Sequence, residues 1–177
     1  MTVSLPHVAR IVTVAALASV VAVGCSKKVK ETPPAETPVE TAPATTAPVD
    51  TTPGAYTPAD LDSDACLRQR VVYFDLDQDA LKPEFQAAMS CHAKYLRDRP
   101  SARLRLEGNA DERGSREYNM GLGERRGNAV SAALQANGGS ATQLSVVSYG
   151  EERPVCNDSG EDCWAKNRRV ELIYTEK

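Results

Sequence analysis

Residues 107–130 read E-G-N-A-D-E-R-G-S-R-E-Y-N-M-G-L-G-E-R-R-G-N-A-V, and a change of pattern inside them indicates a strand followed by a helix. The residues just before them alternate between polar and apolar side chains, which is typical of a strand with one solvent-exposed face. Further on, Leu122, Val130 and Leu134 recur at helical spacing. Arg126 falls on the same stripe, so this stretch predicts a strand–loop–helix unit with an arginine on the buried side of the helix.

The arginine on this stripe is the main indication of function. A buried charge is costly unless a partner compensates it, and Asp111, in the loop before the helix, is the candidate neighbour. One interpretation is a structural ion pair that pins the loop to the helix. The other is a cleft for a zwitterion, in which Asp111 takes an ammonium group and Arg126 a carboxylate. The spacing alone leaves both interpretations open.

Similar patterns define the rest of a domain predicted to span residues 60–177. Strands are predicted at residues 70–74, 103–107, 144–149 and 167–174, with helices from 83 to the proline at 100 and from 118 to 136. The predicted fold class is therefore α/β, an α+β sandwich in the order β-α-β-α-β-β, with the helices packed on a mixed four-stranded sheet.

The N-terminal third predicts export and anchoring. Residues 1–24 resemble a lipoprotein signal peptide, with an apolar run from Ile11 to Val23 that is short for a membrane span. The run ends in A-V-G-C, which predicts lipidation at Cys25; ordinary cleavage and an uncleaved anchor are the alternatives. In the well-studied sorting system, Ser26 permits delivery to the outer membrane. Residues 25–59 are rich in Pro, Thr and Ala, with a proline at every fifth position from 33 to 58, which predicts a semi-stiff tether.

Four further cysteines favour disulfides in an exported protein. Cys156 and Cys163 flank the turn-rich stretch N-D-S-G-E-D, so a disulfide between them would close a short loop. Cys66 lies just before a strand and Cys91 lies in the following helix, so a disulfide between them could join that helix to the start of the strand. A zinc site is the alternative, but C-x-x-C is absent from the sequence and His92 is the one histidine after the signal peptide.

The remaining charged residues are interpreted as structural. His92 is predicted to be a packed histidine. Arg168 and Arg169 are predicted to be surface or packing charges, with a place at the border of the ligand cleft as the alternative. The net charge of −3 does not favour a nucleic-acid partner. Neither a metal triad nor an S-x-x-K motif is present, so the sequence predicts a protein that is not an enzyme and takes no metal and no cofactor apart from the lipid at Cys25.

Four motifs, in order, resemble the OmpA-like peptidoglycan-binding family. They are V-V-Y-F-D-L-D (71–77), the stretch 107–130, V-S-Y-G-E-E-R-P (147–154) and N-R-R-V-E-L-I-Y (167–174). The resemblance implies that Asp111 and Arg126 hold the free amino-acid end of meso-diaminopimelate in the peptide stem of peptidoglycan. It also implies that Asn119 and Leu122 sit in the pocket and that Phe74 and Asp75 line its rim. Asn109 replaces the family's usual histidine, which could alter rim contacts, and Gly127 replaces a more usual alanine.

The resemblance implies an outer-membrane lipoprotein whose domain faces the periplasm and ties the membrane to the wall. It also implies TolB and other Tol-system or envelope proteins as candidate partners, with roles in envelope integrity and cell division. The alternative is an OmpA-like adaptor between periplasmic proteins, outside the Tol system. The loop from Cys156 to Cys163 is more typical of other branches of the family, so the branch remains open at this point.

Overall fold

The computed structural model describes residues 54–177. The predicted signal peptide, the lipidation site at Cys25 and most of the predicted tether lie outside the described residues. Among residues 54–177, no helix has the length and apolar character needed to cross a membrane.

The described chain forms four strands and four α-helices. The strands are β1 (Val71–Tyr73), β2 (Arg103–Asn109), β3 (Leu144–Gly150) and β4 (Arg169–Glu176); the helices are α1 (Asp60–Ser63), α2 (Gln86–Asp98), α3 (Arg116–Ala136) and α4 (Glu161–Asn167). Short 3₁₀ turns at Pro83–Phe85 and Ala141–Gln143 lead into α2 and β3. The predicted order of the four strands and the two long helices is confirmed, whereas the short helices α1 and α4 were not predicted.

The sheet is mixed, with strand order β1-β4-β2-β3. β4 runs antiparallel to both of its neighbours, and β2 and β3 are parallel. One core joins apolar residues of α2 and α3 to the inward-facing residues of the sheet, among them Val72, Leu106 and Leu172. Strand residues that alternate with these, such as Glu107 and Glu171, lie on the other face of the sheet. The predicted α+β sandwich is thus confirmed.

Helix α3 approaches the sheet so closely that only glycine fits at the contact. A Cβ atom at Gly108 would lie 1.9 Å from the carbonyl oxygen of Gly123, and one at Gly127 would lie 2.5 Å from Cγ1 of Val146. The backbone contact between β2 and α3 fixes the helix immediately beside the end of β2. The unusual Gly127 therefore has a packing role.

The structure corrects the start of β4 and refines one domain boundary. β4 begins at Arg169 rather than at residue 167, because Glu161–Asn167 form α4. Seven residues are too few to show a helical repeat of apolar side chains. At the other end, Tyr56 packs against the core and its backbone N–H donates to Asp98 Oδ2 at 2.9 Å, so packed structure begins before the predicted boundary at residue 60.

His92 has the structural role that was predicted. It is fully buried, with Nδ1 2.8 Å from the Tyr174 hydroxyl and Nε2 3.2 Å from the carbonyl oxygen of Gln69. Burial lowers the pKa of His92 to about 4, so the ring is neutral at neutral pH.

Both favoured disulfides are present. Cys66 is bonded to Cys91, joining the segment before β1 to α2, and Cys156 is bonded to Cys163, joining the β3–β4 connection to α4. These four sulfur atoms are therefore not free to bind zinc.

Candidate functional site

The site is a cavity of about 390 Å³ at the end of β2 that precedes α3. Helix α3 begins after Ser115, whose side chain accepts a hydrogen bond from the backbone N–H of Tyr118. This cap and the left-handed Gly114, with φ of +110°, turn the chain sharply between strand and helix. The cavity is lined by Leu76, Asp77, Asp111, Arg113, Gly114, Tyr118, Asn119, Leu122, Arg126 and Arg168. Four of the six residues expected at a pocket therefore lie together: Asp111, Asn119, Leu122 and Arg126.

Arg126 is buried as the helical stripe predicted, but its partners are backbone carbonyl groups. Its side chain is 0% exposed and donates to the carbonyl oxygens of Gln78 at 2.8 Å, Asn109 at 2.9 Å and Asp75 at 3.0 Å. The ion pair with Asp111 that the sequence suggested is not formed. The acid is engaged elsewhere, and three carbonyl dipoles solvate the guanidinium instead.

The carbonyl groups use only part of the hydrogen-bonding capacity of Arg126. A guanidinium has five N–H groups. The three bonds to carbonyls come from Nε, Nη1 and Nη2, so each Nη atom retains one N–H that has no acceptor among residues 54–177. Burial lowers the pKa of Arg126 to about 10, and the positive charge of Arg168 contributes to this, but the group stays protonated at neutral pH.

Asp111 is the buried anion of the cavity, and two arginines compensate it. Arg113 binds it through Nε at 3.1 Å and Nη2 at 2.7 Å, and Arg168 Nη1 lies 3.2 Å from Asp111 Oδ2. Burial favours the neutral form, but the hydrogen bonds from Arg113 and Arg168 outweigh it and hold the pKa of Asp111 below its usual value. The cavity therefore offers an ionised carboxylate.

Asn119 and Leu122 shape the cavity from α3. The Asn119 amide donates to the carbonyl oxygens of Asp111 and Arg113, both at 3.1 Å, and to the Glu151 carboxylate. It thereby ties the loop after β2 to the helix. Leu122 lies one turn before Arg126 and supplies an apolar wall.

The expected rim residues Phe74 and Asp75 do not line the cavity. Phe74 turns into the core at 2% exposure, and its ring centroid lies 5.3 Å from the guanidinium carbon of Arg126. The Asp75 side chain pairs with Lys82 at 2.6 Å, and Asp75 supports Arg126 through its carbonyl oxygen. Asp77 has a φ of +57°, and the loop that contains this turn brings Leu76 and Asp77 to the rim instead.

Arg113 lines the cavity but was not identified from the sequence. Arg168, predicted to be a surface or packing charge with the border of the ligand cleft as the alternative, is 5% exposed and lines the cavity. It joins Asp111 to the end of β1 by donating to the carbonyl oxygen of Phe74 at 3.1 Å. The antiparallel pairing of Gly108 with Val170 brings Arg168 beside the loop that carries Asp111. A prediction that β4 pairs with β2 would have placed Arg168 beside Asp111.

Asn109 contributes to the site by its backbone rather than its side chain. The side chain is 1% exposed and donates to the carbonyl oxygen of Glu107 at 2.9 Å, and it is not among the cavity-lining residues. Its carbonyl oxygen is one of the three acceptors of Arg126. The Asn109 side chain therefore makes no direct contact at the rim of the cavity, in contrast to the expectation.

The lining combines three arginines with two aspartates and an apolar wall. Such a cavity suits a small ligand that carries a carboxylate and a separate positive charge, because each buried group can be matched by a group of opposite sign.

Comparison with known proteins places the chain in a family. Residues 73–168 match the model of the OmpA family. The chain is 46% identical over 158 residues to the peptidoglycan-associated lipoprotein of Pseudomonas putida, and equally to that of Pseudomonas aeruginosa; each match covers 89% of this chain and 92% of the relative.

Solved structures agree. The crystal structure of the peptidoglycan-associated lipoprotein from Burkholderia pseudomallei is similar with a TM-score of 0.64 and 40% identity, covering 66% of this chain and 98% of that one. The C-terminal domain of Helicobacter pylori MotB shares the fold with a TM-score of 0.56 at 23% identity, covering 60% of this chain and 84% of that one. The family and the curated relatives are not enzymes, in agreement with the expectation from the sequence. The chain therefore belongs to the OmpA family and, within it, to the peptidoglycan-associated lipoproteins.

Proposed function

We propose that the cavity binds the peptide stem of peptidoglycan without a covalent bond, by holding the free amino-acid end of meso-diaminopimelate. The observation that carries this proposal is the pair of N–H groups that Arg126 keeps after its three bonds to carbonyls. A carboxylate can accept from one N–H on each Nη atom of a guanidinium at the same time, as a bidentate pair. The family membership supports peptidoglycan as the source of the ligand, because the relatives are named peptidoglycan-associated lipoproteins.

The second charge of the ligand is assigned to Asp111. This carboxylate is buried and ionised, and it lines the same cavity as Arg126. An amino acid carries its ammonium and carboxylate groups on one carbon, so a cavity with one anion and one fork-shaped cation matches both. Leu122 provides apolar contact for the carbon chain that follows.

The biological role that follows is mechanical. The lipid at Cys25 anchors the chain in the outer membrane, the segment 26–58 acts as a tether, and the domain holds uncrosslinked stems on the periplasmic side. An extended chain of this length reaches about 100 Å at roughly 3.1 Å per residue. The protein thus ties the outer membrane to the cell wall as part of a Tol–Pal system for envelope integrity and cell division. TolB is the candidate protein partner.

Co-sedimentation with purified cell-wall sacculi tests the binding site. We expect full-length protein in detergent to sediment with sacculi and to be released by free meso-diaminopimelate. Asp111→Ala and Arg126→Ala should each lower the affinity at least tenfold, equivalent to about 1.4 kcal/mol. Arg125→Ala is the matched control, since Arg125 is the exposed neighbour on α3 and pairs with Asp79 outside the lining. If all variants sediment equally while retaining wild-type thermal unfolding, the cavity is not the wall-binding site.

A further inference from the structure

One carboxylate outside the cavity lining contacts two of its arginines. Glu161, the first residue of α4, has Oε1 2.5 Å from Arg168 Nη2 and Oε2 3.5 Å from Arg113 Nη2. Its side chain is 61% exposed, whereas that of Arg168 is 5% exposed. Glu161 therefore reaches from the surface to both arginines that hold Asp111.

Helix α4 is fastened to the domain at several points, so the position of Glu161 is built into the fold. Cys163 is bonded to Cys156. The Asn167 side chain accepts from the backbone N–H groups of Val155 at 2.9 Å and Cys156 at 3.1 Å, and donates to the Cys156 carbonyl oxygen at 2.8 Å.

Trp164 of the same helix also contacts the site. Its ring centroid lies 4.2 Å from the guanidinium carbon of Arg113, and its indole N–H donates to Glu112 at 2.9 Å. The helix thus supports the arginines beside Asp111 through an aromatic ring as well as through the carboxylate of Glu161.

The charge count around Asp111 depends on Glu161. Arg113 and Arg168 bring two positive charges to a single buried carboxylate, which leaves an excess positive charge where the proposed ligand places its ammonium. Glu161 adds a second negative charge to the same two arginines and balances them. An approaching cation then meets a neutral group of four charges instead of a positive group of three.

We infer that Glu161 is a positioning and specificity-determining residue, which offsets the positive charge of Arg113 and Arg168 beside Asp111 and makes the cavity prefer a zwitterion to a plain carboxylate. This inference rests on the proposed function. Glu161 contacts Arg113 and Arg168, which hold Asp111, and does not contact Arg126. A change at Glu161 should therefore affect binding of the ligand's ammonium and not binding of its carboxylate.

The test compares two ligands rather than one. Calorimetry on full-length protein in detergent measures binding of a synthetic stem peptide ending in meso-diaminopimelate, and of the same peptide acetylated on the free diaminopimelate amine. Glu161→Gln should lower the affinity for the free-amine peptide about fivefold and leave that for the acetylated peptide unchanged or higher. Asp162→Asn is the matched control, since it removes one negative charge from the same first turn of α4.

Each outcome decides the inference. A fall in the ratio of the two affinities for Glu161→Gln, with no fall for Asp162→Asn, supports it. An unchanged ratio overturns the inference while the proposed function stands, and if both affinities fall by the same factor, Glu161 only maintains the fold. If the wild-type protein binds neither peptide, both proposals fail.

Discussion

The two charged ends of the cavity are built in opposite ways. At one end, backbone carbonyl groups from the β1–α2 loop and the end of β2 solvate Arg126. At the other end, Asp111 is neutralised by the side chains of Arg113 and Arg168, and those arginines are shared with Glu161. Dipoles stabilise a buried cation without cancelling its charge, whereas counter-ions cancel it. The arginine end therefore keeps a full charge for a ligand, and the aspartate end depends on how many side-chain charges surround it.

The largest expected effect comes from changing the arginine end. Lysine at position 126 keeps the positive charge but has three donors on one nitrogen, so it cannot serve three carbonyls and a ligand carboxylate together. We expect Arg126→Lys to weaken binding of the stem peptide about 100-fold, or about 3 kcal/mol, as measured by calorimetry. Arg125→Lys, at the exposed neighbouring position, should bind like the wild type. Equal affinity for both variants would mean that Arg126 serves the fold alone.

A smaller effect on binding is expected from a change that displaces helix α3, because α3 carries Arg126 and packs beside the strand that leads to Asp111. Helix α3 carries Arg126 and contacts β2 just before Asp111, and a Cβ atom at Gly123 would lie 2.4 Å from Ser148 Oγ and 2.9 Å from the carbonyl oxygen of Gly108. We expect Gly123→Ala to lower the free energy of unfolding by about 2 kcal/mol in urea titrations, because overpacking outweighs the gain in helix propensity. Displacement of α3 should weaken binding about tenfold, or about 1.4 kcal/mol.

Gly121→Ala is the control for this variant. The nearest atom to a Cβ at Gly121 is Arg125 Nη1 at 3.4 Å, so alanine fits there and should raise stability by up to about 1 kcal/mol. If Gly123→Ala is as stable as Gly121→Ala, the close approach of α3 to the sheet does not constrain the site.

The smallest effect on binding is expected from removing the disulfide that holds α4, because α4 contacts, among the charged residues of the cavity, only the arginines beside Asp111. Combined Cys156→Ser and Cys163→Ala changes should lower the free energy of unfolding by about 2.5 kcal/mol, as the loop-entropy relation gives for a loop this short. Looser placement of Glu161 should weaken binding of the free-amine stem peptide about threefold, or about 0.7 kcal/mol, in calorimetry.

The second disulfide is the matched comparison. Combined Cys66→Ser and Cys91→Ala changes should cost about 3.5 kcal/mol of stability, because the closed loop is longer, yet leave the affinity of the folded protein unchanged. A larger loss of binding from this distant pair than from the pair in α4 would contradict the link between α4 and Asp111.

Much of the fold could be predicted because its signals are local. The alternation in β2 and the helical spacing of Leu122, Val130 and Leu134 each depend on a few neighbouring residues. The same spacing correctly placed Arg126 on the buried side of α3. Helix α4 escaped prediction because its stability depends on a disulfide and on Asn167, and not on an apolar repeat.

The partners of the buried charges were less predictable. Proximity along the chain suggested Asp111 for Arg126, but the carbonyl groups that solvate it belong mostly to a loop about 50 residues earlier. Phe74 and Asp75 were expected at the rim, yet the loop that turns at Asp77 brings Leu76 and Asp77 there. The direction of that loop and the choice of carbonyl acceptors depend on the backbone, so the types of side chain in the sequence do not predict them.

By itself, the sequence determined the order of the four strands and two long helices, the burial of Arg126 and the position of Asp111 at the end of a strand, because hydrophobic periodicity and turn chemistry act over short stretches. Only the tertiary structure decided which groups compensate those charges. Arg168 reaches Asp111 across 57 positions of sequence because β4 pairs with β2, and Glu161 joins them because α4 is fastened in place. Electrostatic partners are chosen by distance in space, which strand pairing sets and local sequence does not.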